Sequence, residues 1–250
     1  MGTTAKRIAT ASTPAPVSSK SSTPPEVALT NGAIEAVKWL AVVLMTLDHV
    51  NKYLLHDAYP GLFAIGRLAM PLFAFTLAYN LARPATLEGG AYSRVLKRLA
   101  TIGAVSSVPF IALGGLGWGW WPLNIMAMLF VASSIMWLWE RGGKWDAAAA
   151  VAVFLAGGAF VEFWWPGVAL CVAAWRYFKR PSWTALAVCV LSVASLYVIN
   201  RNLWALAAFP VFFLASKVNP RVPRLRSTFY AYYPAHLAVL WALSHFLAKI

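Results

Sequence analysis

Lys38-Trp39-Leu40-Ala41-Val42-Val43-Leu44-Met45-Thr46-Leu47-Asp48-His49 is a mainly apolar stretch that carries three ionisable groups. Placing such a group in hydrocarbon costs from about 2.5 kcal/mol upward, so these side chains are expected to line a cavity or do chemistry. Lys38 and His49 stand eleven residues apart. That is about three turns at ~3.6 residues each, which puts both on one helical face and about 16 Å apart along the axis. The expected geometry is a cation near one membrane surface and an imidazole deep in the same groove.

The composition around this stretch fits a membrane environment. Of 250 residues, 60% are hydrophobic and 12% charged, with 13 Trp; soluble domains are nearer about 45–50% apolar and about 25% charged. The formal charge is +13, from 21 Lys and Arg against 8 Asp and Glu. In a polytopic chain that excess follows from the retention of basic loops on the cytoplasmic side, and no nucleic-acid-binding module is present. Cys171 and Cys189 lie inside apolar runs without metal-ligand spacing and read as small buried hydrophobes. No metal site is expected.

Residues 1–30, rich in Ser, Thr, Ala and Pro, read as a disordered polar cytoplasmic tail without the continuous apolar core of a signal peptide. Residues 31–250 form the transmembrane domain. Its apolar runs fall at about 34–55, 62–82, 92–113, 122–139, 146–161, 163–178, 183–199, 202–216 and 228–247. They are too long and too uniformly apolar for barrel strands, so the fold class is all-α, a bundle of about nine transmembrane helices. The fifth to eighth runs are short for a span of roughly 20 residues; Gly157-Gly158 and Pro166-Gly167 would permit bent or broken helices there. Every second connection is basic: Arg83, Arg94, Lys97 and Arg98; Arg141 and Lys144; Arg176, Lys179 and Arg180; Lys217, Arg221, Arg224 and Arg226. The other side carries Lys52, Arg201 and Lys249 together with the Trp-rich junctions Trp118-Gly119-Trp120-Trp121 and Trp164-Trp165. This alternation fits nine spans with the N-terminus on the cytoplasmic side and the C-terminus outside.

With those depths, His49 is the candidate general base, because neutral imidazole accepts a proton near physiological pH. Asp48, about 100° round the helix from it, can meet Lys52 one turn on or Arg67 on the next helix. Arg67, in Gly66-Arg67-Leu68-Ala69-Met70-Pro71, is a fixed charge able to steady an oxyanion, and Pro71 bends its helix and frees carbonyls. Tyr232-Tyr233-Pro234-Ala235-His236-Leu237 places a His, two phenols and a Pro in the final run. Asn124 heads the fourth run as a cap.

These fragments, in this order, resemble the TraX family of conjugative-plasmid membrane proteins. The resemblance runs from Lys38 through His49 and Gly66 through Phe75, by way of Leu96-Lys97-Arg98, Val108-Pro109-Phe110 and Leu123-Asn124-Ile125, to Phe229 through Leu237. It covers about 34–247, is sharp in the first two helices and the last, and departs from the family between about 140 and 220. It implies an acetyltransferase acting on the N-terminal amine of a pilin, with acetyl-CoA as donor. The family is similar in turn to the acyltransferase-3 group, whose first helix carries a basic residue, ten intervening residues and a His. Lys38 to His49 has that spacing, with Lys where Arg is usual, which keeps the charge and loses the bidentate fork. Glu162-Phe163-Trp164-Trp165-Pro166-Gly167 only loosely resembles the family's acidic-aromatic-glycine turn.

The combined expectation is donor inside, acceptor outside. His49, Asp48 and Arg67 are the catalytic candidates. Lys38, Arg94, Lys97, Arg98, Tyr233 and His236 are the candidates for binding acetyl-CoA. A pilin or other envelope acceptor and the lipid bilayer are the partners. Two alternatives stay open at this point: an O-acyltransferase acting on a cell-envelope sugar, and a transporter using the intramembrane charges as a proton path.

Overall fold

The structure, a computed structural model, describes residues 24–225 and 228–247. The expected disordered tail lies outside the described residues up to residue 23, as do Arg226 and Lys249. The described residues after it begin with an extended segment that packs on the bundle. Leu29 is buried, its amide donates to the Tyr79 hydroxyl at 2.9 Å, and the Tyr177 hydroxyl donates to the Pro25 carbonyl.

Eleven α-helices and one 3-10 turn follow among the described residues. They are α1 (Asn31–Tyr53), α2 (Pro60–Gly66), α3 (Ala69–Ala82), α4 (Ala91–Ala112), α5 (Ile125–Arg141), α6 (Lys144–Phe160), α7 (Trp164–Lys179), α8 (Trp183–Ser195), α9 (Tyr197–Asn200), the 3-10 turn Trp204–Ala207, α10 (Ala208–Ala215) and α11 (Thr228–Leu247). Side chains fix several of their ends. The Thr30 and Ser182 hydroxyls accept from Ala33 and Ala185 amides, and Asn124 caps α5 by accepting from Met126. Gly142, at φ 74, ends α5 in the left-handed region where a Cβ is unwelcome.

Each apolar run of the sequence corresponds to one helical rod. Three rods are broken. The second divides into α2 and α3 at Arg67-Leu68, the seventh into α8 and α9 at Leu196, and the eighth into the 3-10 turn and α10. In the second rod Pro71 sits in the first turn of α3 and lacks the N–H that would bond the Arg67 carbonyl, so the rod breaks just before it rather than merely bending. Gly157-Gly158, by contrast, does not break α6. A Cβ at Gly158 would lie 2.5 Å from Trp165 Cδ1, so the glycine makes room for an indole. Among the described residues three helices are long and apolar enough to cross a membrane: Pro60–Ala82, Ala91–Ala112 and Trp183–Asn200. The chain is an all-helical membrane protein.

The core lies between α1, α3, α5 and α7, where Ala33, Leu72, Met128 and Leu170 are fully buried. α3 packs on α7, α5 packs on α4 and α6, and α11 lies against α1 and α4. Cys171 and Cys189 are free and buried. This arrangement brings the polar face of α1, the break between α2 and α3, the head of α5 and the middle of α11 round one interior.

Candidate functional site

Two cavities occupy that interior. One, of about 460 Å³, opens at the end of the bundle where α3 gives way to α4. Lys38, Arg83, Arg94, Arg98 and Arg224 line it with Phe229, Tyr230 and Tyr232; no Asp or Glu lines it among the described residues. The other, of about 210 Å³, lies toward the opposite end and is lined by Asp48, His49, Lys52, Asp57, Arg67 and Glu162. Met45, Phe73, Ile125 and Tyr233 line both. The two spaces therefore adjoin at these four side chains, one with an excess of cations and the other with three carboxylates against two cations.

One face of α1 runs along both. Lys38 lines the basic cavity, Met45 both cavities, and His49 the acidic cavity. Lys38 Nζ donates to Glu35 Oε1 at 2.7 Å and lies 4.4 Å from the Phe229 ring centre. Glu35 is buried, and Arg224 Nε stands 3.9 Å from the same oxygen. This carboxylate holds Lys38 and the segment before α11 at the cavity mouth. A Cβ on Gly32 would lie 1.9 Å from the Pro220 carbonyl oxygen, so that segment approaches α1 as closely as a glycine allows. Arg98 stacks over Tyr230, with its guanidinium 5.4 Å from the ring centre. Lys97, on the same turn of α4, is exposed and does not line the cavity.

His49 is paired with His236. Its Nδ1 lies 2.8 Å from His236 Nε2, the two rings are within 6° of parallel, and His236 Nδ1 lies 3.1 Å from the Tyr232 carbonyl oxygen. A carbonyl can only accept, so His236 carries its proton on Nδ1 and, as a neutral ring, accepts on Nε2. His49 then donates from Nδ1, and its Nε2 keeps a lone pair. The hydrogen-bond pattern assigns this tautomer. Tyr232 closes the arrangement: its hydroxyl is 2.6 Å from Thr46 Oγ1, which donates to the Val42 carbonyl at 2.8 Å. His236, expected among the donor-binding residues, thus stands behind His49 and lines neither cavity, while Tyr233 lines both.

Arg67 and Asp48 form a buried ion pair between the break in the second rod and α1. Arg67 Nε also donates to the Phe63 carbonyl at 3.2 Å, one terminal nitrogen lies 3.4 Å from Asn200 Oδ1, and the guanidinium sits 4.2 Å from the Phe63 ring centre. Its donors are largely committed to the protein, so Arg67 acts as a fixed wall charge more than as a free oxyanion hook. A Cβ at Gly66 would lie 2.5 Å from Asp48 Cβ, so the glycine lets α2 come this close to α1. Asp48 pairs with Arg67, not with Lys52.

The turn between α6 and α7 supplies Glu162. Its amide donates to the Leu123 carbonyl at 2.8 Å, and the Leu123 amide donates to the Phe160 carbonyl at 2.7 Å. Phe163 and Trp164 follow in the left-handed region at φ 60 and φ 47. Such conformations cost of order 1–3 kcal/mol each and persist only where the surroundings impose them. Asn124 anchors the same region: its Nδ2 donates to the Gly103 carbonyl at 2.9 Å and to Ser107 Oγ at 3.0 Å, tying the head of α5 to α4. The sequence places Glu162 near the outer face at the turn between the fifth and sixth runs, where the structure has it, but gives no sign of the His49–His236 contact. That contact has no local signal, since the paired histidines are 187 residues apart. The one available hint was that both histidines fall at interior depths of their runs.

The family model described as TraX protein matches residues 33–244. A protein named Protein TraX from Escherichia coli is 27% identical over 225 residues, covering 85% of this chain and 88% of that protein. Another of the same name from Escherichia coli strain K12 is 28% identical over 225 residues with the same coverage. No solved structure matches the chain.

Proposed function

The chain belongs to the TraX family, and from that premise we propose that it is a membrane-embedded acetyltransferase. It moves an acetyl group from cytoplasmic acetyl-CoA to an acceptor on the periplasmic side of the bacterial inner membrane, the N-terminal amine of a conjugative pilin. In this reading its nine helical rods cross the membrane, with the N-terminus inside and the C-terminus outside. The observation that carries it is the pair of cavities adjoining at Met45, Phe73, Ile125 and Tyr233, one basic and the other rich in carboxylates. An acyl thioester of coenzyme A has a strongly anionic nucleotide and a thin, uncharged pantetheine arm. Lys38, Arg83, Arg94, Arg98 and Arg224 suit the first and the uncharged side chains where the cavities adjoin suit the second.

His49 does the proton work. Its Nε2 lone pair takes a proton from the attacking nitrogen as the C–N bond forms, then returns it to the sulfur as the C–S bond breaks. His236 holds the tautomer that leaves this lone pair available, the role a third group plays for a catalytic histidine elsewhere. The Arg67–Asp48 pair fixes the wall beside His49, with the Arg67 guanidinium the positive end available to a developing oxyanion. Its donors already have partners, so it acts through its charge rather than by a direct hydrogen bond.

Incubating the purified protein with labelled acetyl-CoA and an amine-terminated peptide tests this reading. Label is expected to pass to the peptide, and His49→Ala should lower the rate by about 10² to 10⁴-fold, the range for a positioned base. Undiminished turnover in His49→Ala would overturn the assignment.

A further inference from the structure

We propose that Glu162 is a second proton acceptor of this site, taking the first proton from an acceptor ammonium so that His49 has only the second to remove, and that this makes the site select an amine over a hydroxyl. The inference rests on the acetyltransferase reading above and adds to it a residue and a basis for acceptor choice.

Three carboxylates line the acidic cavity. Asp48 is bound to Arg67, and Asp57 is exposed in the loop after α1. Glu162 is partly buried and, among the described residues, makes no ion pair within 4.0 Å. It shares the cavity with His49 and is held in the turn outside the spanning helices by the paired backbone bonds to Leu123. The groups facing it come from several elements. Lys52 and Arg67 favour its carboxylate, Asp48 opposes it, and the Tyr53 and Tyr233 phenols lie close enough to feel its charge. Burial outweighs the two cations and pushes the Glu162 carboxyl up to about 7. That value suits a group that must both gain and release a proton near neutrality.

Proton bookkeeping gives the selectivity. An amine arrives as R–NH3+ and leaves as R–NH–CO–CH3, so its nitrogen sheds two protons, whereas a hydroxyl oxygen sheds one. An α-amino group has a pKa near about 8, so only about a tenth is free base at pH 7. In the proposed step Glu162 takes the first proton and the freed nitrogen lone pair attacks the thioester carbon. His49 Nε2 takes the second proton, the C–S bond breaks, and His49 returns its proton to the departing thiolate. Glu162 then releases its proton to water. A site acting on a hydroxyl has no use for the first base.

The sign with pH follows. Glu162 works as a carboxylate, so its contribution is present above about 7 and is lost as the pH falls through that value. The test uses the purified full-length protein, labelled acetyl-CoA and two probes: an amine-terminated peptide and the same peptide ending in a hydroxyl. With the amine probe, Glu162→Gln is expected to be about tenfold slower than wild type at pH 7, and less than twofold slower at pH 9, where the amine is already free. Any slower transfer to the hydroxyl probe should be unchanged by the substitution. Equal rates at pH 7, or a deficit that persists undiminished to pH 9, would overturn the role of Glu162. Should Glu162→Gln lose donor binding, Glu162→Asp replaces it. The shortened carboxylate is expected to slow amine transfer while keeping the fall below about pH 7, and an unchanged rate overturns the proposal. If wild type transfers acetyl to neither probe, the acetyltransferase reading itself fails.

Discussion

Replacing Arg67 by Met should leave the Asp48 carboxylate stranded between α1 and Gly66. The two side chains are 15% and 12% exposed, too little for solvent to screen the pair down to the ~0–1 kcal/mol typical of surface salt bridges. Removing one member of a buried pair costs about 3–5 kcal/mol because the remaining charge has no partner. Asp48 cannot move away easily, since its Cβ already lies where a Cβ on Gly66 would clash. Asn200 Oδ1 and the Phe63 carbonyl would also lose a donor. Asp48→Leu combined with Arg67→Met removes the stranded charge, so the double variant should lose clearly less stability than the two single losses added together. Reversible unfolding in mixed detergent micelles measures all four corners of this cycle. A single Arg67→Met loss below about 1 kcal/mol, or strict additivity in the double variant, would refute the reasoning.

Three further outcomes follow from the same geometry. Gly66→Ala should cost about 1–3 kcal/mol by overpacking against Asp48, measured by the same unfolding, and should slow acetyl transfer by displacing the Arg67–Asp48 wall. His236→Gln, whose amide oxygen can accept from His49 Nδ1, should retain most of the transfer rate, while His236→Phe should lose at least about tenfold of the ~10² to 10⁴-fold that a positioned base contributes; transfer assays on both variants check this. Arg94→Ala and Arg98→Ala should each raise the KM for acetyl-CoA and weaken its dependence on salt, whereas Lys97→Ala, exposed and off the cavity, should shift KM less than either in steady-state kinetics.

Much of the fold was legible because hydrophobic run length is a local signal. Among the described residues nine apolar runs correspond to nine rods; Pro71, visible in the sequence, marks the second rod as irregular, though it breaks at Arg67-Leu68 where a bend was expected. Gly157-Gly158 shows the limit of such reading. Two glycines in an apolar run look like a break, but Gly158 accommodates Trp165, a contact made by the next helix. In the site, the shared face of Lys38 and His49 follows from helical periodicity, and the Asp48–Arg67 pair follows from antiparallel neighbours joined by a short connection. His236 was recognised as an interior polar residue, but its partner was not, because α11 meets α1 only through tertiary packing. The outer-side depth of Asp48 and Glu162 was legible from the topology, but their sharing of one cavity with Asp57 was not, since that depends on tertiary packing.

Acetyl transfer across a sealed membrane tests the central claim most directly. The protein would be reconstituted in proteoliposomes, with labelled acetyl-CoA confined to the side of the basic cavity and an amine-terminated peptide on the other. Label should reach the peptide with wild-type protein and fall by about 10² to 10⁴-fold with His49→Ala. Transfer only when donor and acceptor share one compartment, or transfer indifferent to His49, would contradict a donor path through the two adjoining cavities.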